Sequence, residues 1–254
     1  MNYKRSKYFL TSGRKKIKYL YLNKKSQITV VFFHGFMSNM IGKKPTAIKH
    51  FCEKKKLNFL KFEYSGHGKS SGNFTEGNIS KWTEDAKQII KSKINSKCRL
   101  IFVGSSMGSW IALNLFSTFK KKIIGFMGIA SAPEFLENLM WKKLNKKTKK
   151  KILCAKVYQL KHGLYTYPLT KQLIFDGRKN KVLHKKINLE LNVTLLHGSK
   201  DDVVPLSSSK KILRIFTKAK RKLVKIKNGD HSLSKKGNLK KICQELDIMI
   251  SDHL

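Results

Sequence analysis

No stretch of the 254 residues is apolar for long enough to cross a bilayer. The longest apolar runs, such as IIGFMGIA from Ile123 to Ala130, fall far short of the ~20 residues that a spanning helix needs. The amino-terminal MNYKRSKYFLTSGRKK is basic but lacks the continuous apolar core of a secretory signal. Cysteine is scarce and scattered. Cys52, Cys98, Cys154 and Cys243 form no C-x-x-C pair and no cluster with histidine at metal-ligand spacing, which excludes a disulfide scaffold and a zinc motif. Separate thiols and no export signal predict a soluble cytoplasmic protein.

Acidic residues are also few, 15 against 55 Lys+Arg, for a formal net charge of +40. Such a balance ordinarily suggests a polyanion-binding protein. Only six of the basic residues are arginines, however, and the lysines run along the whole chain beside many Asn, Ile and Phe. That bias reads as an A+T-rich coding sequence rather than as selection for the bidentate contacts arginine makes with phosphates and bases. Nucleic-acid binding is not the predicted function.

Hydrophobic residues make up 41% of the chain, enough for a sizeable core. Short β-branched and aromatic runs alternate with longer amphipathic ones, the pattern of a mostly parallel sheet covered by helices. Strands are predicted over Lys7–Thr11, Ile17–Leu22, Ile28–Phe33, Asn58–Glu63, Leu100–Val103, Ile123–Ile129, Val193–Leu196 and Lys222–Ile226. The first two, joined through SGRKK, read as an antiparallel edge hairpin. Helices are predicted over Thr46–Lys55, Ile79–Ile94, Ser106–Phe119, Ser207–Thr217 and Asn238–Ile250. Between residues 131 and 191 the rhythm breaks, and MWKKLNKKTKKKILCAK reads as helix with a dense basic face. The expectation is one α/β domain over residues 1–254, with 131–191 inserted as a small helical cap over the carboxyl edge of the sheet.

Two pentapeptides fit G-x-S-x-G: GKSSG around Ser70 and GSSMG around Ser106. A nucleophile elbow is a strained turn between a buried strand and a helix, so context decides between them. CRLIFV precedes Gly104, and SWIALNLFSTF follows Gly108 with Ile111, Leu115 and Phe119 at helical spacing. Ser70 lies in the glycine-rich EYSGHGKSSGNFTEGN with no apolar helix after it, which predicts a loop beside the site. The GKS within that loop is not a P-loop either, because the required upstream glycine is Glu63.

A serine hydroxyl needs a base, usually a histidine oriented by a carboxylate. After Ser106, LLHGSKDDVVP offers Asp201 and Asp202 just past an apolar strand, and NGDHSLS offers His231 past the last one. Both fall at carboxyl strand ends, where open α/β sheets place their sites, and in the order nucleophile, acid, base. Asp201 is the preferred orienting acid, Asp202 shapes the turn, and Asp230 ranks behind them because it adjoins His231. His34, His67 and His197 fall in glycine-flanked turns and read as local hydrogen-bonding residues, while His50, His162, His184 and His253 lack a matching context. The two backbone N–H groups of an oxyanion hole are expected from Met107, after the nucleophile, and from Phe36 in HGF.

Together HGF, YSGHGKSSG, GSSMGSW, LLHGSKDDVVP and NGDHSLS resemble the α/β-hydrolase superfamily. More narrowly, HGFMSNMIGKKPTAIKHFC, FEYSGHGKSSGNF, VGSSMGSWIAL and LLHGSKDDVVP are similar to the family of the mitochondrial palmitoyl-protein thioesterase, also described as mycophenolic acid acyl-glucuronide esterase, and its bacterial relatives. The resemblance covers nearly the whole chain. It implies Ser106, Asp201 and His231 as the triad and deacylation of small-molecule esters or thioesters, S-acylated cysteine included. The chemistry needs no metal or organic cofactor. Two rivals stand beside it: a serine peptidase of the same fold, and a basic binding protein on an inactive hydrolase scaffold.

Overall fold

The computed structural model describes residues 7–162 and 165–253. Strands β1 (Lys7–Leu10) and β2 (Lys16–Leu22) pair antiparallel across a turn in which Arg14 N–H donates to the Thr11 carbonyl at 2.9 Å. The chain then alternates β3 (Ile28–Phe33), α1 (Lys43–Lys54), β4 (Asn58–Phe62), α2 (Ile79–Lys93), β5 (Arg99–Ser105), α3 (Met107–Asn114), the single turn α4 (Phe116–Phe119) and β6 (Ile123–Ile129). The insertion holds α5 (Lys146–Cys154), β7 (Tyr158–His162), β8 (Tyr165–Leu169) and α6 (Lys171–Lys179). The sheet resumes with β9 (Asn192–Gly198), α7 (Leu206–Ile215), β10 (Lys220–Ile226) and α8 (Lys236–Ser251).

The main sheet runs β1-β2-β4-β3-β5-β6-β9-β10 and is parallel from β4 to β10, with β2 antiparallel to β4. Its central strands are covered on both faces. In β3 (ITVVFF) every residue is buried, and period-two alternation sends Val31 and Phe33 to one layer and Val30 and Phe32 to the other. The first layer holds Trp82 of α2 and Trp110 of α3; the second holds Ile48 of α1 with Ile242, Leu246 and Met249 of α8. Fully burying side chains of this size stabilises the fold by ~1.5–3 kcal/mol each. The exposed edge β10 opens with Lys220, Arg221 and Lys222, charges that discourage pairing with another chain.

Element boundaries differ from expectation where local chemistry intervenes. α1 begins at Lys43, three residues before the predicted start, because Pro45 sits in the first turn, where a missing N–H costs nothing. The predicted helix over Ser106–Phe119 starts after Ser106 and breaks at Leu115. The insertion is not wholly helical. Besides α5, α6 and a π-to-3-10 turn over residues 136–143, it carries the antiparallel β7–β8 pair, which forms its own two-stranded sheet. Among the described residues no helix is long and apolar enough to cross a membrane.

The insertion is tied to the sheet layer at its root. Glu134, buried and held at φ 57°, accepts hydrogen bonds from the N–H groups of Val182 and Leu183, both at 2.9 Å, and so joins the segment's two ends. Trp110 donates from Nε1 to the Asn180 carbonyl at 2.7 Å, and Ser80 donates to Asp176. Glu134→Ala should orphan two buried or half-buried donors and lower stability by ~2–5 kcal/mol. Glu134→Gln, which keeps an acceptor oxygen, should cost less. Urea midpoints of the two variants measure this, and equal midpoints would remove the clamp from the argument.

Candidate active site

The site begins with a constraint on the backbone. Ser106 takes φ 51° and ψ −118° between β5 and α3, a conformation that L-residues disfavour and that neighbouring packing must enforce. The flanking glycines permit that packing. A Cβ on Gly108 would fall 2.1 Å from the Phe33 carbonyl oxygen, and one on Gly104 2.5 Å from the Ser109 backbone. Only glycine allows β5, α3 and β3 to approach so closely. The turn lifts the Ser106 hydroxyl above the carboxyl edge of the sheet at the amino end of α3, where backbone N–H groups favour negative charge.

His231 arrives from the loop after β10 and Asp201 from the loop after β9. The Ser106 hydroxyl donates to His231 Nε2 at 3.2 Å, and His231 Nδ1–H donates to Asp201 Oδ2 at 2.9 Å. A carboxylate only accepts, so the imidazole proton belongs on Nδ1, leaving Nε2 free to accept from the serine. Asp201 Oδ1 is occupied in turn by the N–H groups of Val203 and Val204, at 3.0 and 2.8 Å. Burial opposes the charge on Asp201, but the hydrogen bonds from His231 and the Val204 N–H outweigh it and hold the carboxyl below its ordinary range.

Asp202 is exposed and lines a cavity next to Ser106, while Asp230 accepts from the Leu233 N–H at 2.8 Å within its own turn. Neither carboxylate meets His231. Ser70, the other candidate serine, is spent on structure: its hydroxyl donates to the Glu63 carbonyl at 2.6 Å and accepts from the Lys18 N–H at 2.8 Å. A Cβ on Gly35 would lie 3.4 Å from the Ser106 Cβ, so the HGF turn rests against the elbow. Phe36 and Met107 therefore flank the serine. Among the described residues no protein acceptor engages either N–H.

Two cavities meet at Ser106. One, of about 300 Å³, is the more polar, with Ser38, Asn39, Lys43, Lys44 and Ser232 beside Phe32, Phe36 and Pro45 in its walls next to His231. The other, of about 250 Å³, is mainly apolar and is walled by the insertion and the Asp201 loop. Lys44 donates from Nζ to the Ser232 carbonyl, linking α1 to the His231 loop.

Several supporting groups carry no sequence motif. His197, buried under the Asp201 loop, donates from Nε2 to the Val204 carbonyl at 2.9 Å and accepts from the Ser209 hydroxyl at 2.8 Å. Its Nε2 also lies 3.6 Å from Asp201 Oδ2. Glu63 is buried at the start of the glycine-rich loop and accepts from the Lys69 N–H at 2.7 Å; a Cβ on Gly68 would collide with its carboxylate. The only sequence trace of that role was a carboxylate ending an apolar strand before G-x-G.

His34 and His67 form a buried aromatic cluster beneath the HGF turn, their rings 5.0 Å apart. His34 donates from Nδ1 to the Gly35 carbonyl at 2.9 Å. Burial, reinforced by the neighbouring His67, pushes the His34 pKa well down, and burial lowers His67 to about 4. An unfolded chain takes up a proton at His67 near pH 6.5, whereas the folded one refuses it until about 4. Between those values the unfolded state binds more protons, so stability should fall as the pH drops, by ~3 kcal/mol from His67 alone. The gap between urea midpoints at pH 7 and 4.5 should narrow in His67→Phe, with the part due to His34 remaining; an unchanged pH slope would exclude this source.

The chain is similar to known proteins over most of its length. The family model described as serine aminopeptidase, S33, matches residues 24–173. The bovine mitochondrial palmitoyl-protein thioesterase ABHD10 is 30% identical over 226 residues, covering 87% of this chain and 72% of the relative. The structure of alpha/beta hydrolase domain-containing protein 10 from mouse aligns with a TM-score of 0.87 at 28% identity, over 98% of this chain and 99% of that one. A crystal structure from Agrobacterium vitis S4 aligns with a TM-score of 0.90 at 26% identity, over 97% and 98%. The chain is a serine hydrolase of the α/β-hydrolase superfamily and belongs to the family of the ABHD10 thioesterases and their bacterial relatives.

Proposed function

We propose that the protein hydrolyses carboxylic esters or acyl thioesters through an acyl-enzyme on Ser106. The observation that carries this reading is the unbroken line from the Ser106 hydroxyl through His231 to Asp201 at the point where a polar and an apolar cavity meet. His231 takes the Ser106 proton as the oxygen attacks the acyl carbonyl, and Asp201 stabilises the imidazolium that results. The N–H groups of Phe36 and Met107 receive the oxyanion. His231 then returns the proton to the departing alcohol or thiol, and a water, deprotonated by the same imidazole, releases the acid.

The apolar cavity suits the acyl group and the polar one the leaving group. In this reading the insertion over residues 131–191 acts as a cap that excludes water from the acyl side. The ABHD10 relatives are named palmitoyl-protein thioesterases, which makes an S-acylated cysteine of a protein one candidate substrate. The four free cysteines suit a reducing compartment, and we assign the protein to the cytoplasm on that ground, although the ABHD10 relatives are named mitochondrial.

The family model's description favours a second reading, cleavage of peptide amides by the same groups. A fluorophosphonate probe should label Ser106 covalently. Parallel assays with p-nitrophenyl esters, acyl thioesters and aminoacyl amides should show turnover of the first two classes. Faster turnover of the amides would move the assignment to a peptidase, and an unlabelled protein would exclude both.

A further inference from the structure

Asp201 meets His231 with one oxygen, so the pose of its carboxylate depends on what holds the turn that follows it. Oδ1 is pinned by the N–H groups of Val203 and Val204, but these belong to the turn itself. The outer side of that turn is open, with Asp202 and Val203 exposed beside the cavity next to Ser106. A hold from beneath comes through Val204. That residue is buried, and its carbonyl accepts from His197 Nε2–H at 2.9 Å. Val204 is therefore gripped at both ends, by Asp201 at its N–H and by His197 at its carbonyl.

The imidazole of His197 is fixed in turn by its neighbours. It stands on β9, one residue before Gly198, whose carbonyl accepts from the Asp201 N–H at 3.2 Å. A carbonyl only accepts, so the His197 proton is on Nε2, and Nδ1 is left to accept from the Ser209 hydroxyl of α7 at 2.8 Å. Both His197 and Ser209 are buried, so losing either partner leaves a polar atom without one. Nε2 lies 3.6 Å from Asp201 Oδ2, beyond hydrogen-bond reach. The imidazole acts on the carboxylate through the turn.

Resting on the acyl-enzyme reading above, we propose that His197, oriented by Ser209, is a positioning residue for catalysis: it locks the Asp201 turn through the Val204 carbonyl and so holds the carboxylate on His231 Nδ1–H. A misplacement of about 1 Å at a catalytic group costs on the order of 10²-fold in rate. Freeing the Val204 carbonyl should cost about that much.

The test is kcat for a short-chain ester in His197→Phe and His197→Gln, each assayed well below its melting temperature, with fluorophosphonate labelling of the parent. His197→Phe should lose about 10²-fold, whereas His197→Gln, whose amide reaches roughly as far as Nε2 and can still donate to Val204, should lose less than about tenfold. Added to Asp201→Asn, His197→Phe should slow the enzyme by less than about threefold more, because a residue that acts through the carboxylate then has nothing left to position. A residue that only supported the fold would show neither the rescue nor this non-additivity. Nitrogen-15 spectra of the parent, which require no variant to fold, should show His197 protonated at Nε2 and bare at Nδ1. A proton on Nδ1 with Nε2 bare, equal losses in His197→Phe and His197→Gln, or losses that multiply in the double variant overturn the role of His197 while Ser106 is still labelled. An unlabelled parent overturns the reading on which it rests.

Discussion

Ser106→Ala should remove hydrolysis of esters and thioesters almost entirely, a loss on the order of 10⁴- to 10⁶-fold in kcat. The structure makes this a clean substitution. Alanine keeps the Cβ, and the strained turn at φ 51° is enforced by the surrounding β3, β5 and α3 rather than by the hydroxyl. The hydroxyl's hydrogen bond is the one to His231. The melting temperature should therefore remain that of the parent while the rate collapses and fluorophosphonate labelling disappears. Activity within tenfold of the parent would end the case for Ser106 as nucleophile. The rate that survives the substitution reports what Phe36, Met107 and substrate binding contribute without a nucleophile.

The contrast between Ser106 and Ser70 shows how far sequence could be read. Both match one pentapeptide, and the choice rested on whether an apolar strand precedes and an apolar helix follows. Those neighbours are local and periodic, so they survive in the sequence, and the central strands and most helices are legible for the same reason. Asp201 and His231 were reachable because the parallel topology sends the carboxyl ends of β9 and β10 to the same edge as that of β5.

What escaped depends on partners distant along the chain. Glu134 has no motif, and its meaning lies in two N–H groups 48 and 49 residues away. His197 reads as a turn residue in LLHGS, and only the folded loop brings its imidazole beneath the Asp201 carboxylate. The β7–β8 pair was missed because it borders no long apolar strand and pairs only with itself, within a segment whose lysines suggested helix throughout. Burial on one face is too shallow there to impose a clear period.

Asp201→Asn should lower kcat by about 10⁴-fold while leaving the fold intact, because the substitution reverses a proton. Oδ1 of Asp201 accepts from the N–H groups of Val203 and Val204. In the asparagine the amide oxygen must take that position, since the NH₂ would meet two donors there. The NH₂ then faces His231 Nδ1 and can only donate. His231 must accept at Nδ1 and carry its proton on Nε2, where it points at the Ser106 hydroxyl and removes the base. The nearby His197 gives its Nε2–H to the Val204 carbonyl and offers the new amide no acceptor. The assay is kcat for a short-chain ester across pH, beside Asp202→Asn. Retention of more than a tenth of the rate in Asp201→Asn, with its loss in Asp202→Asn, would transfer the orienting role to Asp202. A loss confined to Asp201→Asn would establish that the carboxylate between two imidazoles sets the proton on His231.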